Sequence, residues 1–221
     1  MDTTRYDLKL FAAPGAAVTG RDLVPVFHRW IQQSRLDDLL IDVADYDHVH
    51  HGPAAVLVGH QAHYVYDLAE GRPGLLYSRR REARPAADGA TRLRAALRAA
   101  LAACAALESE ETLAGRLAFR GDELLLRVND RLAAAGGGNG GGDGAEADLR
   151  HLLRPLLAEL FAGAEVRVER RDGGADTRPT LAVHAAEAPD VATLLARLAP
   201  PAEPFPAAAG NGHGAGAGAA R

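Results

Sequence analysis

Four short segments rich in β-branched and aromatic residues constrain the fold more than any other feature of the chain. They lie at 39–46, 55–59, 64–68 and 75–77, and such segments are typical of strands. Glycine and proline mark two of the links between them. Links this short join antiparallel neighbours, because a parallel crossover needs a dozen or more residues. The sequence therefore predicts an antiparallel meander.

The first of these segments admits two interpretations. Its apolar residues from Leu36 onward fit the i, i+3, i+4, i+7 spacing of a helix, whereas the alternation along 39–44 fits a strand. We favour the strand, because Asp42, Val43 and Asp45 are poor helix formers.

Periodicity predicts further elements on both sides of the meander. We expect strands at 6–11, 116–120, 165–170 and 179–184, and helices at 22–35, 92–107, 149–161 and 191–198. Asp22 is the expected N-cap of the first helix, with Pro25 in its first turn. Trp30 should face the sheet from that helix and be buried. Residues 123–133 fit either a second strand of a hairpin or the start of a helix.

Together these elements predict the α+β class, with an antiparallel sheet and helices packed on one side. We expect a single domain over 1–202. The order of elements is loosely similar in 1–84 and 90–202, so the domain could consist of two similar halves.

Half of the 24 glycines lie in two short stretches. The first stretch, between Gly136 and Gly144, predicts a flexible loop at 134–147. The second belongs to an Ala/Gly/Pro tail at 203–221 that has almost no bulky apolar residue. Such a tail buries too little surface to offset its ordering entropy, so we expect it to be disordered.

Composition excludes several classes of protein. A net charge of −4 argues against a general nucleic-acid binder, which would carry a basic surplus. No stretch is long and apolar enough to predict a membrane span or a signal peptide, so we expect a cytoplasmic location. Cys104 is the only cysteine, which excludes an intrachain disulfide and a cysteine-built zinc site.

Several segments resemble a family of uncharacterised bacterial proteins of about 200 residues. The segments are VPVFHRWIQ at 24–32, LLIDVADY at 39–46, the Gly-Pro pair at 52–53, GRPGLLY at 71–77 and NDRL at 129–132. The first two are the most specific, and the likeness extends over most of residues 6–185. The family has no known activity, so the resemblance implies no mechanism.

Six of the nine histidines lie between residues 28 and 63. Of these, His48, His50, His60 and His63 are candidate ligands of a transition metal, because imidazoles from neighbouring strands can surround one ion. A nearby aspartate could complete such a site. The alternatives are histidines bonded to backbone or solvent, and histidines that act in general acid–base catalysis.

The run Arg79, Arg80 and Arg81 is a candidate anion- or partner-binding patch, or else a solvated strand end. Other catalytic motifs are weak. The glycines before residue 149 match a phosphate-binding pattern only loosely, and none of the three serines stands in G-x-S-x-G.

The sequence therefore favours a non-enzymatic domain that binds a protein partner or a small ligand, and it predicts neither nucleic acid nor membrane as a partner. A metal-binding protein or metal-dependent enzyme that uses the four histidines is the alternative. Whether the protein is an enzyme stays open at this stage.

Overall fold

The computed structural model describes residues 5–80, 88–129, 141–171 and 178–198. These residues form one eight-stranded sheet in which neighbouring strands are antiparallel. The strands are β1 (Tyr6–Ala12), β2 (Leu40–Asp45), β3 (Pro53–Gly59), β4 (Ala62–Asp67), β5 (Gly74–Arg79), β6 (Phe119–Val128), β7 (Val166–Arg170) and β8 (Thr180–Ala185). The helices are α1 (Gly20–Gln33), α2 (Gly89–Glu108), α3 (Gly141–Leu160) and α4 (Val191–Arg197).

The strand order is β2-β3-β4-β5-β1-β6-β8-β7, which puts β1 inside the sheet. The consecutive strands β2 to β5 form the predicted meander. β1 then pairs with β5 on one side and with β6 on the other. Backbone hydrogen bonds thus continue from the first half of the chain into the second, and the two halves share one sheet.

The helices lie on one face of the sheet, as the α+β prediction requires. α1 packs on β2 and β3, α2 on β1 and β5, and α4 on β6, while α3 packs on α2 and α4. One hydrophobic cluster contains side chains from all four helices and from the strands beneath them. None of the helices in the described ranges is long and apolar enough to cross a bilayer.

A capping box begins α1. The Thr19 hydroxyl accepts from the Asp22 N–H, and the Asp22 carboxylate accepts from the Thr19 N–H at 2.8 Å. The N-cap is therefore Thr19 and not the predicted Asp22, which acts from the third helical position, and Pro25 falls in the second turn. Trp30 is fully buried, as predicted, and its Nε1 donates to Glu110 Oε1 at 2.6 Å.

The second boundary that differs from the prediction is the start of α3. The helix begins at Gly141 and not at Leu149, so the second half of the loop predicted at 134–147 is helical. Glycine is a poor helix former, which is why local propensity favoured a loop. Ion pairs support the early turns, since Glu146 accepts from Arg150 Nε at 2.8 Å and also pairs with an arginine of β7. Residues 134–140 and the tail at 203–221 lie outside the described residues.

β6 runs unbroken from Phe119 to Val128, so no hairpin forms after Gly121 and residues 123–128 are strand. Gly121 marks a close approach of two backbones. A Cβ at this position would lie 1.6 Å from the carbonyl oxygen of Pro189, which precedes α4. Only glycine permits this contact between the loop and the strand.

Candidate functional site

Charged side chains lie on the face of the sheet that no helix covers in the described structure. In β1, Leu8 and Leu10 face the hydrophobic core, so alternation turns Asp7 and Lys9 to the opposite, helix-free face. Asp7 is only 5% exposed, Lys9 only 6%, and Asp67 of β4 only 8%. Charged residues are rarely buried to this degree unless they are paired.

Each of these buried charges has a polar partner. Lys9 Nζ lies 2.6 Å from Asp67 Oδ2, so the Lys9 side chain crosses β5 to reach β4. Asp7 Oδ1 accepts from Ser78 Oγ at 2.7 Å and from Asn129 Nδ2 at 3.1 Å. The helix-free face is thus held together by polar contacts that link the three strands β1, β4 and β5 and the residue after β6.

Two cavities open on this face and share the ring of Phe11. The first, which we call the polar cavity, has a volume of about 210 Å³. Its charged lining residues carry both signs and are Asp7, Lys9, Asp67, Glu70, Arg127 and Arg171. Glu70, in the link between β4 and β5, pairs with Arg171 at the end of β7, so this ion pair bridges the cavity.

The second cavity, which we call the arginine cavity, has a volume of about 300 Å³. It is lined by Phe11, by the loop at 12–16 that follows it, and by Gly71, Arg72, Pro73 and Arg120. Among the described residues that line it, Arg72 and Arg120 are the only charged ones. The two cavities therefore differ in charge, one carrying both signs and the other only guanidinium groups.

The two guanidinium groups of the arginine cavity are fixed by carboxylates. Arg72 donates two parallel hydrogen bonds to Glu123, at 2.8 and 2.6 Å, and its guanidinium lies 3.8 Å from the centre of the Phe11 ring. Arg120 donates to both oxygens of Asp122, at 2.9 and 2.7 Å, and also lies 3.0 Å from Glu123. Such bidentate pairs hold a guanidinium plane in one orientation.

The electrostatics keep this arrangement charged at neutral pH. Burial raises the pKa of Glu123, but the hydrogen bonds and charge of Arg72, with the charge of Arg120, outweigh burial and leave that pKa below its usual value. The hydrogen bond from Arg120 likewise lowers the pKa of Asp122. Both carboxylates stay ionised at neutral pH and continue to hold the arginines.

The arrangement suits recognition of an anion. A guanidinium has five N–H donors, and its carboxylate partner does not use all of them. Arg72 and Arg120 line the arginine cavity, whereas Asp122 and Glu123 do not. The ring of Phe11 adds an apolar surface on the side facing the polar cavity.

The four histidines predicted as metal ligands do not come together. His48 and His50 are exposed in the link before β3, whereas His60 and His63 follow that strand. A seven-residue strand separates the two pairs by roughly 20 Å. Within the described ranges, no group of three or more His, Cys, Asp or Glu side chains is placed to hold a metal ion.

The prediction relied on an extended chain through residues 42–50, but β2 ends at Asp45 and a turn follows. This turn carries His48 and His50 away from the two histidines of β4 and its preceding turn. His63 alone lies on the helix-free face, where burial, followed by the charge of Arg80, lowers its pKa.

The predicted arginine patch is also divided. Arg79 is only 5% exposed and donates to the Arg92 carbonyl of α2 at 3.2 Å, whereas Arg80 is exposed. Successive side chains of a strand point to opposite faces, so these two cannot act on one surface ligand. Arg81 lies outside the described residues.

The arginines that do line a cavity, Arg72 and Arg120, were not predicted as site residues. Arg72 stands inside the segment 71–77, which the resemblance already singles out. No spacing rule connects Arg72 with Arg120, because β1 brings them together by pairing between β5 and β6.

Comparisons of the chain with protein-family models, with curated proteins and with solved structures give no match. The resemblance to uncharacterised bacterial proteins stays a prediction, and the geometry of the helix-free face supplies the basis for a function.

Proposed function

We propose that this protein is a non-enzymatic binding protein that holds a small anionic ligand in the arginine cavity. One observation supports the proposal above the others. Two guanidinium groups line a cavity of about 300 Å³, and each is oriented by a carboxylate that does not line it.

The ligand chemistry follows from the donors. Planar guanidinium groups match carboxylate and phosphate oxygens, and charge-assisted hydrogen bonds of this kind contribute about 1.5–3 kcal/mol each. The paired carboxylates balance the charge of the two arginines, so affinity depends on donor geometry more than on net charge. We therefore expect selectivity for anions whose oxygens reach both guanidinium groups at once.

The volume limits the size of the ligand. At roughly 30 Å³ for each water-sized group, a cavity of about 300 Å³ takes a molecule of about ten non-hydrogen atoms. This is the lower end of the usual range for small-molecule sites. Small dicarboxylates, inorganic phosphate and phosphate monoesters of three-carbon compounds meet both requirements.

Isothermal titration calorimetry with succinate, malate, inorganic phosphate and glycerol 3-phosphate tests the proposal, with glycerol as the uncharged control. The decisive variant is Arg120→Gln, because Glu123 keeps its bidentate partner Arg72 in that protein. The matched control is Arg94→Gln, since Arg94 makes a similar bidentate pair with Glu159 outside the cavity.

We expect at least one anion to bind the wild-type protein and the Arg94→Gln variant with equal affinity, and to bind the Arg120→Gln variant at least tenfold more weakly. A tenfold change corresponds to about 1.4 kcal/mol. Equal binding by all three proteins would show that the anion binds outside the arginine cavity. Absence of binding by all four anions would refute the proposal.

A further inference from the structure

The exposed large apolar side chains of the described residues are concentrated on one edge strand. They are Leu39, Ile41 and Tyr46, which are 69%, 55% and 40% exposed. All three fall within or beside β2, the first strand of the sheet order. We call these three residues the β2 edge surface. Single exposed apolar residues are common, but a concentration of this kind marks an interaction site.

A β-bulge places these side chains on the same side of the sheet. Leu40 pairs with Gly59 and faces the core, but the register then shifts, so that Asp42 pairs with Val58. A bulge adds one residue to a strand and so re-aims the side chains that follow. Without the shift, strict alternation would put Ile41 and Tyr46 on opposite faces.

The backbone of this edge is partly closed to another strand. The N–H of Val43 donates to the side chain of Asp42 at 2.8 Å, which occupies a donor that an added strand would need. Bulges and charged residues on edge strands are common means of preventing edge-to-edge association. A partner of the β2 edge surface therefore binds through the side chains.

The acidic residues around the β2 edge surface indicate the charge of its partner. Five aspartates lie between residues 37 and 47, and residues 36–71 contain neither lysine nor arginine. Asp38 is committed to the turn before β4, where it accepts from two backbone N–H groups, and Asp47 pairs with Arg21. Asp42 and Asp45 remain exposed. Asp42 pairs with Val58 and lies on the same face as the exposed apolar side chains, whereas Asp45 pairs with the core residue Ala55, faces the other way and accepts from the Asp47 N–H at 2.8 Å.

We propose that the β2 edge surface docks a cationic segment of another protein. Apolar side chains of that segment contact Leu39, Ile41 and Tyr46, and its lysines or arginines face Asp42. A second copy of this chain is disfavoured, because it would bring a second acidic segment 37–47 against the first.

This surface is separate from the arginine cavity. Three strands lie between β2 and β1 in the sheet, which places the two sites roughly 19 Å apart along the hydrogen-bonding direction. Both can therefore be occupied at once, and a failure of either proposal leaves the other standing.

Fluorescence anisotropy with labelled peptides tests the docking surface. The probe is a 12-residue peptide of alternating leucine and lysine, and the control peptide alternates leucine and glutamate. We expect the lysine peptide to bind, with an affinity that falls as salt rises, and the glutamate peptide to bind at least tenfold more weakly.

Variants locate the contact. Ile41→Ser and Asp42→Asn should each weaken binding of the lysine peptide at least threefold, since both residues are exposed and their substitution leaves the core intact. The controls lie at the opposite edge of the sheet, where the exposed Glu165→Gln and Glu169→Gln should leave binding unchanged. Equal binding of both peptides, or equal binding by all four variants, would overturn the proposal. A dimer that Ile41→Ser dissociates in size-exclusion light scattering would also overturn it, in favour of a second copy.

Discussion

The two faces of the sheet bury side chains of different chemistry. On the helix-covered face, Leu8 and Trp30 are fully buried in an apolar cluster. On the helix-free face, Asp7, Lys9 and Asp67 are nearly as buried, and they are held by ion pairs and hydrogen bonds. Apolar burial contributes about 1.5–3 kcal/mol for each large side chain, whereas a buried ion pair can contribute nothing net to stability.

Stability therefore explains the apolar residues of the helix-covered face, but it does not explain the buried charges of the helix-free face. An apolar pair of similar shape would serve the fold as well as Lys9 and Asp67 do. The presence of charges on the face that also carries both cavities agrees with a role in binding. The predictions that follow challenge this division, beginning with the substitution that should have the largest effect.

Trp30→Ala should lower the free energy of unfolding by about 3–5 kcal/mol, as truncation of a large buried aromatic side chain does. The substitution also leaves Glu110 without the indole N–H that it accepts at 2.6 Å. Urea unfolding followed by circular dichroism measures the loss. His28→Ala on the exposed side of the same helix is the control, with a change below about 0.5 kcal/mol. A loss below 1 kcal/mol for Trp30→Ala would mean that the helix-covered face does not determine stability.

Lys9→Met should lower the free energy of unfolding by about 3 kcal/mol, because it leaves the Asp67 carboxylate buried without its cation. The double substitution Lys9→Met with Asp67→Leu should restore stability to within about 1 kcal/mol of the wild type, since it removes both charges. Urea unfolding of the two variants measures the difference. A double variant as unstable as the single one would show that the helix-free face is built for stability.

Gly121→Ala should lower the free energy of unfolding by about 1–3 kcal/mol, because the new methyl group would displace the Pro189 backbone on the helix-covered side. Gly144→Ala is the control, and we expect it to raise the free energy of unfolding. That glycine lies in α3, and a Cβ there meets nothing within 4 Å, so alanine should stabilise the helix by about 0.5–1 kcal/mol. Thermal unfolding of both variants tests the pair, and equal shifts would contradict the contact at Gly121.

Asp22 provides an exposed reference for the buried ion pair. Its hydrogen bonds to Arg116 and Thr19 lower its pKa to about 2 in the folded protein, from an ordinary value of 3.8. The pKa is depressed on folding, so the stabilisation is complete above about pH 4 and is lost as the pH falls toward 2.

Because Asp22 is partly exposed, solvent screening should limit this effect to about 1 kcal/mol or less. Asp22→Asn should remove that part of the pH dependence, and urea unfolding between pH 2 and pH 6 measures it. An unchanged acid profile in the variant would show that Asp22 makes no such contribution.

Local pattern was sufficient for most elements of the fold. The meander from β2 to β5 follows from short segments and turn residues, and burial of Trp30 follows from helical spacing. The predicted start of α3 was wrong, because the helix extends back through glycines of poor helix propensity to Gly141. Glu146 of this extension pairs with Arg150 and with an arginine of the distant strand β7. The structure also gives Gly121 a close contact with the backbone of Pro189, which turn chemistry cannot indicate.

Most residues of the candidate site could not be predicted from the sequence. Four histidines that are close in the sequence were predicted to be close in space, but two of them precede β3 and two follow it, so the strand separates the pairs. The run from Arg79 suggested one patch, but strand alternation divides it. Arg72 and Arg120, by contrast, are far apart in the chain and line one cavity.

By itself, the sequence determined the α+β class, the antiparallel meander and the apolar faces of the helices, because periodicity and turn chemistry act over a few neighbouring residues. Only the tertiary structure decided that β1 pairs between β5 and β6, and that pairing brings Phe11, Arg72 and Arg120 around one cavity. It also decided which charges are buried together on the helix-free face. Strand order sets such neighbours through pairing across long stretches of chain, and no local pattern encodes that order.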